Sequence, residues 1–297
     1  MTALSQTVPP EPSAPQAPKE LTLKERIGAK SPDGSVSHLN SLIYSEPGGG
    51  KTHLFGTCEE WPEEFLPALL IDIDGGTDTV RNRHKIDISP PIRSMEALQK
   101  LYKEVAAEAD YYKCMGLDNI TELQKMDMNA VMLEAKATAN NPDNVDIYVP
   151  SQREWGKSGE RMRIIVRAFR DLPCHTIALA HIEEREDKMT KIPRLWPSMP
   201  GKLRHELAGF FSVVGYLSTY EENGEVYRQI QFKKTKRVQA KDRFQVLDPV
   251  MTNNPTLPQI WKIIKDSGAR IVDTDPLEVS QVSQADTLQA LKGAINS

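Results

Sequence analysis

Apolar runs alternate with amphipathic stretches between residues 21 and 275 of the 297-residue chain. This alternation is typical of strands and helices in a parallel α/β sheet. The apolar runs predict strands at 38–45, 68–74, 111–118, 174–181, 211–218 and 225–232, and the turn EENG joins the last two. The amphipathic stretches predict helices at 51–59, 94–110, 119–139, 154–171 and 256–266. We therefore expect a mostly parallel central sheet flanked by helices, with antiparallel strands near the C-terminus.

The two ends of the chain differ from this domain. Residues 1–20 carry five prolines and almost no large apolar side chains, which predicts a disordered tail. Residues 21–275 are expected to form one domain, and residues 276–297 a flexible tail. In that last tail Leu288, Leu291 and Ile295 share one face of a possible short helix. This helix is interpreted as a frayed end, with a docking segment for a partner as the alternative.

Composition limits the expected partners, the cellular location and the state of the cysteines. The net charge of -4 gives no general attraction to nucleic acid, so any such contact needs a local patch. The apolar runs are shorter than the roughly 18 residues that cross a bilayer, and residues 1–20 lack the apolar core of a signal peptide. We expect a cytoplasmic protein with no membrane contact. Cys58, Cys114 and Cys174 are predicted to be reduced core thiols.

The segment SEPGGGKT, residues 45–52, lies between the first predicted strand and the first predicted helix. The backbone N–H groups of such a loop bind polyphosphate, the lysine reaches the β- and γ-phosphates, and the Thr hydroxyl binds Mg²⁺. The usual pattern, GxxxxGK[ST], has glycine where this chain has Ser45, and a flexible glycine-rich turn is the alternative interpretation. The expected nucleotide-binding residues are Glu46, Pro47, Gly48, Gly49, Gly50, Lys51, Thr52 and His53.

Polar side chains end three of the other predicted strands. Asp72 and Asp74 end ALLIDID, Asp118 ends YYKCMGLD, and His181 ends TIALAH. Ligands of open parallel sheets bind at the carboxyl ends of the strands, so these side chains are expected to converge on the loop. Each of them taken alone is better interpreted as an ordinary polar residue at the end of a strand.

The order of these segments resembles a known group of proteins. SEPGGGKT, IDIDGG, GLDNITELQ, IALAHIEER and KKTKRVQAKDRF follow one another as in the RecA-like nucleotide-binding proteins of phages and prophages, which include single-strand annealing and recombination ATPases. The resemblance runs from about residue 42 to 244. It implies a RecA-like P-loop fold, ATP and Mg²⁺ as cofactors, a homo-oligomer, single-stranded DNA as partner, and the cytoplasm of a bacterial host.

Roles follow from the resemblance residue by residue. Lys51 and Thr52 match the phosphate and Mg²⁺ contacts of the Walker A loop. Asp118 matches the Walker B aspartate, which orients Mg²⁺ through a water. Asp74 falls at the place of the base that orients the attacking water, where the recombinases carry glutamate.

Two further positions follow from the same resemblance. His181 falls where these proteins have a polar sensor, and a core histidine is the alternative. Asn119 stands where a typical AAA+ ATPase has glutamate, which argues against an AAA+ assignment.

Residues 228–243 carry seven basic side chains and one acidic side chain. A solvated face and a phosphate-contacting patch are both consistent with such a run. By the resemblance, Lys241 and Arg243 are candidates to reach the ATP of a neighbouring subunit. Residues 140–155 and 183–202 are candidate loops for single-stranded DNA, the second with Lys188, Lys191, Arg194 and Trp196.

Two other functions stay open. The short side chain of Asp74 is consistent with a nucleotide-switched binding module that hydrolyses little ATP. A small-molecule kinase would need an arginine-bearing lid, for which residues 159–170 (GERMRIIVRAFR) are the candidate. The apolar periodicity of that segment instead favours a packed helix.

Overall fold

The structure, a computed structural model, describes residues 22–26, 28, 38–186 and 191–268. The predicted tails, Lys188 and the possible helix at residues 288–295 lie outside these ranges. The chain divides into two units, residues 1–33 and 34–297. The described part of the first contains a four-residue helix, α1 (Leu23–Arg26). All other described helices and strands belong to the second unit.

A ten-stranded sheet forms the centre of the second unit. Its strands are β1 (Asn40–Ser45), β2 (Ala68–Asp72), β3 (Ile86–Ile88), β4 (Cys114–Asp118), β5 (His175–Glu186), β6 (Pro193–Pro197), β7 (Val213–Glu222), β8 (Glu225–Gln231), β9 (Lys241–Asp242) and β10 (Val250–Met251). The helices are α2 (Lys51–Gly56), α3 (Pro62–Phe65), α4 (Met95–Ala107), α5 (Ile120–Thr138), α6 (Gln152–Arg170), α7 (Leu203–Phe210) and α8 (Leu257–Asp266).

The strand order is β10-β8-β7-β1-β5-β4-β2-β3. The six strands from β7 to β3 are parallel to one another. The later strands β8, β9 and β10 pair antiparallel. The predicted fold class, a mostly parallel α/β sheet with antiparallel C-terminal strands, is therefore confirmed. Because β1, β5, β4 and β2 are adjacent and parallel, their carboxyl ends meet at one edge of the sheet.

Helices cover both faces of this sheet. Strands β2 and β4 are buried along their whole length, as expected of strands covered on both sides. One core cluster packs α4, α5, α6 and α7 against the sheet, and a second packs α2 and α8 on the other face. The three cysteines are buried and free, as predicted. No helix among the described residues is long and apolar enough to cross a membrane.

Side-chain caps set where several helices begin. The Ser94 hydroxyl accepts from Ala97 N at 3.2 Å, so α4 starts at the residue that the sequence predicts. Ser151 forms a capping box with Glu154, which moves the start of α6 two residues before the predicted Glu154.

Arg161 of α6 is buried in an ion pair with Asp127 of α5, its Nε 2.8 Å from Oδ1. This contact confirms the packed-helix interpretation of residues 159–170.

The structure corrects several boundaries. Residues 183–202 do not form a loop throughout, since β5 continues to Glu186 and pairs antiparallel with β6 as a hairpin. Strand β4 begins at Cys114, three residues after the predicted start, because residues 108–111 form a turn. Strand β2 ends at Asp72 and not at Asp74. The helix α7 and the short strands β3, β9 and β10 were not predicted.

Candidate nucleotide-binding site

The predicted phosphate loop leaves β1 at Ser45 and enters α2 at Lys51. Gly48 and Gly50 have positive φ angles of 74° and 96°. The Ser45 side chain fills the space beneath the loop, and a β-carbon on Gly49 would lie 2.6 Å from Ser45 Oγ. The serine that replaces the usual first glycine thus fits the turn and disfavours a side chain at position 49.

Lys51 lies against this loop. Its residue surface is 7% exposed, and Nζ donates to Glu46 O at 3.1 Å, Ser45 Oγ at 3.2 Å and Ser45 O at 3.4 Å. Burial lowers the pKa of Lys51, and the nearby carboxylates of Asp118 and Asp74 oppose this shift. The ammonium group is therefore held where the loop would present it to phosphate oxygens.

Thr52 and Asp118 join the loop to the strand β4. Thr52 Oγ1 donates to Asp118 Oδ2 at 2.6 Å, and Asp118 is 4% exposed. Burial raises the pKa of Asp118, while Thr52 and Lys51 pull it down. A hydroxyl and a carboxylate are the oxygen donors that Mg²⁺ takes in proteins. These two side chains therefore fit a Mg²⁺ ion beside the loop.

Asp74 lies at the edge of this cluster, just beyond β2. Its backbone N–H donates to Asp118 O at 3.1 Å, and its side chain is 38% exposed. Asn119 Nδ2 donates to Asp74 Oδ2 at 2.9 Å and lies 3.2 Å from His181 Nε2. The amide nitrogen of Asn119 can donate hydrogen bonds but cannot accept them. His181 Nε2 is therefore the acceptor, and the His181 ring is neutral. Burial first, and then Lys51, lower the pKa of His181, which agrees with that neutral form.

The structure thus brings together the predicted residues Lys51, Thr52, Asp74, Asp118 and His181 at one edge of the sheet. Asn119 was singled out from the sequence only as a departure from AAA+ ATPases. In the structure it is fully buried, and its Oδ1 accepts from Glu122 N at 3.0 Å as the cap of α5. Its place between Asp74 and His181 depends on the pairing of three strands, which no local signal reveals.

Asp74, Glu122 and His181 also present ligand atoms within 4.8 Å of one another. The Asn119 amide, however, donates to the Asp74 oxygen and contacts the His181 nitrogen that a cation would need. We assign no metal to this group.

The remaining predicted loop residues differ in exposure. Glu46, Pro47 and Gly48 are exposed, and His53 is half-buried in the first turn of α2. Burial and then Arg228 lower the pKa of His53. Arg228 was noticed in the sequence only as the first residue of the basic run, yet it lies against Gly50.

Lys241 and Arg243, the candidates for contact with a neighbour, are placed differently. Lys241 Nζ donates to the carbonyl oxygens of Ala208 and Phe211 at 3.0 and 2.8 Å, at the C-terminal end of α7 in its own chain. The Arg243 side chain is exposed. Reaching across an interface stays a prediction for both, and Arg243 is the better placed.

The residues expected in DNA-binding loops are partly engaged. Trp196 packs edge-on against His205 with ring centroids 4.6 Å apart, and Arg194 Nε donates to Lys236 O at 2.9 Å. Lys191 pairs with Glu186 at 3.0 Å.

A cavity of about 670 Å³ opens beside them, between the start of α6, the outer part of β5 and the start of α7. Trp155, Arg163, Arg185 and Lys202 are among its lining residues. Trp155 is 42% exposed, and the Arg185 side chain is more than half exposed although it pairs with Glu183.

Comparison with known proteins places the chain among P-loop NTPase domains. The model of a protein family described as an AAA domain matches residues 37–244, most of the chain. No curated protein matches this chain. Among solved structures, the crystal structure of a KaiC-like protein from the hyperthermophilic archaeon Pyrococcus horikoshii OT3 is similar, at 13% identity and a TM-score of 0.34. The similarity covers 73% of this chain and 90% of that chain, and so low a score supports no conclusion about function.

Asn119 stands where typical AAA+ ATPases have glutamate, and the match to an AAA domain family does not test that difference. The chain belongs to the AAA domain family and is a P-loop NTPase domain with a mostly parallel α/β sheet.

Proposed function

We propose that this protein binds and hydrolyses ATP with Mg²⁺ and acts on single-stranded DNA in recombination or replication. The observation that carries the nucleotide chemistry is the contact of Thr52 with the buried Asp118 carboxylate, 2.6 Å apart, beside a lysine held on the phosphate loop. A glycine-rich turn without a nucleotide would have no need of a buried carboxylate and a buried ammonium at its mouth, because burying charge is costly.

The residues of the site have separate roles in this proposal. Lys51 binds the terminal phosphates, and Thr52 and Asp118 hold Mg²⁺, which neutralises developing phosphate charge when bound. Asp74 orients the attacking water. Its carboxylate suits this role because one oxygen is fixed by Asn119 while the group stays open to solvent. His181 contacts the same amide and is the proposed sensor.

The cavity beside α6 supports single-stranded DNA as the partner. A single strand is bound by basic side chains that follow its backbone and by aromatic rings that stack on its bases. Trp155, Arg185 and Lys202 supply one ring and two positive charges around the cavity. Arg185 lies four residues beyond His181 on β5, about 13 Å along a strand. A rigid strand therefore connects the proposed sensor to the proposed DNA surface.

Assembly into a homo-oligomer is part of the same proposal. The exposed Arg243 would approach the nucleotide of a neighbouring subunit and stabilise transition-state charge, as an arginine finger does. A phage or prophage source is proposed from the resemblance alone.

The test is ATP turnover by the wild type and Lys51→Ala, with and without single-stranded DNA, alongside sizing with ATP. We expect turnover that requires Mg²⁺, rises with DNA, and is lost in Lys51→Ala. Tight ATP binding without turnover would replace the ATPase with a nucleotide-switched module. Turnover indifferent to DNA, with no retardation of DNA by the protein, would reject the DNA partner.

The DNA surface has its own test. Trp155→Ala is expected to weaken retardation of an oligothymidylate by roughly 5- to 100-fold, the loss of one stacked base. Tyr111→Ala is the control, because Tyr111 is an exposed aromatic residue in the turn before β4, outside the cavity. Equal DNA affinity of the two variants and the wild type would move the DNA site elsewhere.

A further inference from the structure

The Arg228 side chain lies directly over the phosphate loop of its own chain. A β-carbon added to Gly50 would lie 2.3 Å from Arg228 Nε, 3.0 Å from Cδ and 3.2 Å from Cζ. Gly50 has a φ of 96°, a backbone conformation that favours glycine, and the guanidinium packs where a side chain at this position would begin. This contact joins β8, an antiparallel strand late in the chain, to the loop after β1.

The backbone holds Arg228 in this place. Its N–H donates to Asn254 Oδ1 at 2.9 Å, and Asn254 N donates to Arg228 O at 3.0 Å. On the other side, Arg228 pairs with Thr219 of β7. The Arg228 side chain therefore extends from a hydrogen-bonded position on the strand β8 and not from a loop.

No anion of the described residues neutralises this guanidinium. Arg228 forms no ion pair within residues 22–26, 28, 38–186 and 191–268, and its Nε is buried without a hydrogen-bond partner. His53 in the first turn of α2 is a basic neighbour of Arg228, which contributes to lowering the pKa of His53. A buried donor without an acceptor costs free energy, and a bound anion would supply the acceptor.

We propose that Arg228 binds the phosphates of a nucleotide seated in the loop of the same subunit. The guanidinium is planar and presents several N–H donors, which suits phosphate oxygens. It approaches from β8, opposite the β4 side from which Asp118 reaches Thr52, so Lys51 would not be the only cation at the phosphates. This inference rests on the proposed nucleotide function, and it assigns Arg228 a role in its own subunit, unlike Arg243.

The test compares the affinities of Arg228→Ala, Arg228→Lys and the wild type for ATP with Mg²⁺, by calorimetry. The loss of a charge-assisted hydrogen bond predicts about 10- to 100-fold weaker binding for Arg228→Ala. Arg228→Lys should recover part of the loss, because it keeps the charge without the planar fork. Arg237→Ala is the matched control, an exposed arginine of the same basic run, 3.9 Å from Glu184, and it should bind as the wild type does.

Thermal unfolding separates binding from a structural role. Without nucleotide, Arg228→Ala should melt no lower than the wild type, because a buried donor without a partner is removed. Its rise in Tm on adding ATP should be smaller. Unchanged ATP affinity in Arg228→Ala, or a lower Tm without nucleotide at equal affinity, would overturn the inference while leaving the proposed function standing. A wild type that binds no ATP would overturn both.

Discussion

Thr52 Oγ1 donates a 2.6 Å hydrogen bond to Asp118 Oδ2. Thr52 follows β1 and Asp118 ends β4, and β5 lies between these two strands in the sheet. The two residues are 66 positions apart in the chain and come from the start of a helix and the end of a strand. Their contact fixes the phosphate loop relative to the sheet edge where the other acids lie. It also places a hydroxyl and a carboxylate together, as a Mg²⁺ ion requires.

Thr52→Val tests this pair, since valine keeps the shape and removes the hydroxyl. We expect ATP turnover to fall by at least about tenfold and the Mg²⁺ concentration for half-maximal turnover to rise, because an oxygen ligand is lost. Thr52→Ser, which keeps the hydroxyl, should stay close to the wild type. A Mg²⁺ titration of turnover makes the comparison, and identical curves for the Val and Ser variants would speak against the metal site.

Asn119 positions Asp74, and Asn119→Asp removes the amide that donates to it. Aspartate still caps α5 by accepting from Glu122 N, but it cannot donate to Asp74. We expect at least a tenfold fall in kcat, part of the roughly 10²- to 10⁴-fold that a positioned base contributes. The change in KM should be small.

Two comparisons control this prediction. Ser94→Ala removes the cap of α4 and should cost about 1 kcal/mol of stability with no effect on kcat. In an Asp74→Asn background, Asn119→Asp should add nothing further, because its effect passes through Asp74. Additive effects in the double variant would mean that Asn119 acts elsewhere.

Ser45 and Gly49 are predicted to be coupled. Gly49→Ala should weaken ATP binding, because the added carbon would lie 2.6 Å from Ser45 Oγ and 3.0 Å from Ser45 Cβ. Adding Ser45→Gly removes both contacts, so that Glu46 O at 3.1 Å is the one left of the three nearest atoms, and part of the affinity should return. ATP affinities of the two single variants and the double variant check this. No recovery in the double variant would show that the serine side chain does not restrict the loop.

Glu64 anchors α8 to α3. Its carboxylate accepts from Trp261 Nε1 at 2.6 Å and Lys265 Nζ at 2.8 Å, and His175, with Nε2 3.7 Å from Glu64 Oε1, is the largest cause that lowers the pKa of Glu64 to about 2. Because the folded-state pKa lies below the ordinary value of 4.5, this stabilisation is complete above pH 4.5 and is lost as the pH falls towards about 2.

Glu64→Gln should therefore lower the free energy of unfolding by about 1–3 kcal/mol at neutral pH, and by progressively less in acid. Urea unfolding at a series of pH values measures the difference. Glu63→Gln on the same helix, at an exposed position, is the control and should change little at any pH. A constant difference for Glu64→Gln across the acid range would contradict the assignment.

The strands and the acids at their ends could be predicted from the sequence for one reason. Buried parallel strands are continuous apolar runs, and their carboxyl ends share an edge, so Asp74, Asp118 and His181 could be grouped without knowing the strand order. The hairpin of β5 and β6 could not be predicted in this way. Its residues are largely charged, and only pairing with a partner strand makes them extended.

The contacts of Arg228 and Asn119 also could not be predicted from the sequence. Arg228 reaches the loop because β7 lies between β1 and β8, an order set by long-range pairing and by no local pattern. Asn119 acts on residues that are 45 and 62 positions away in the chain. Such contacts depend on the assembled sheet, whereas periodicity reports only on the segment that carries it.

Single-turnover cleavage of ATP by Asp74→Asn tests the central claim most directly. The amide keeps the shape of the carboxylate but cannot accept the proton of the attacking water. If Asp74 is the base at this site, Asp74→Asn should bind ATP as tightly as the wild type and cleave it at least about 100-fold more slowly. Cleavage at the wild-type rate, with ATP binding intact, would contradict the account.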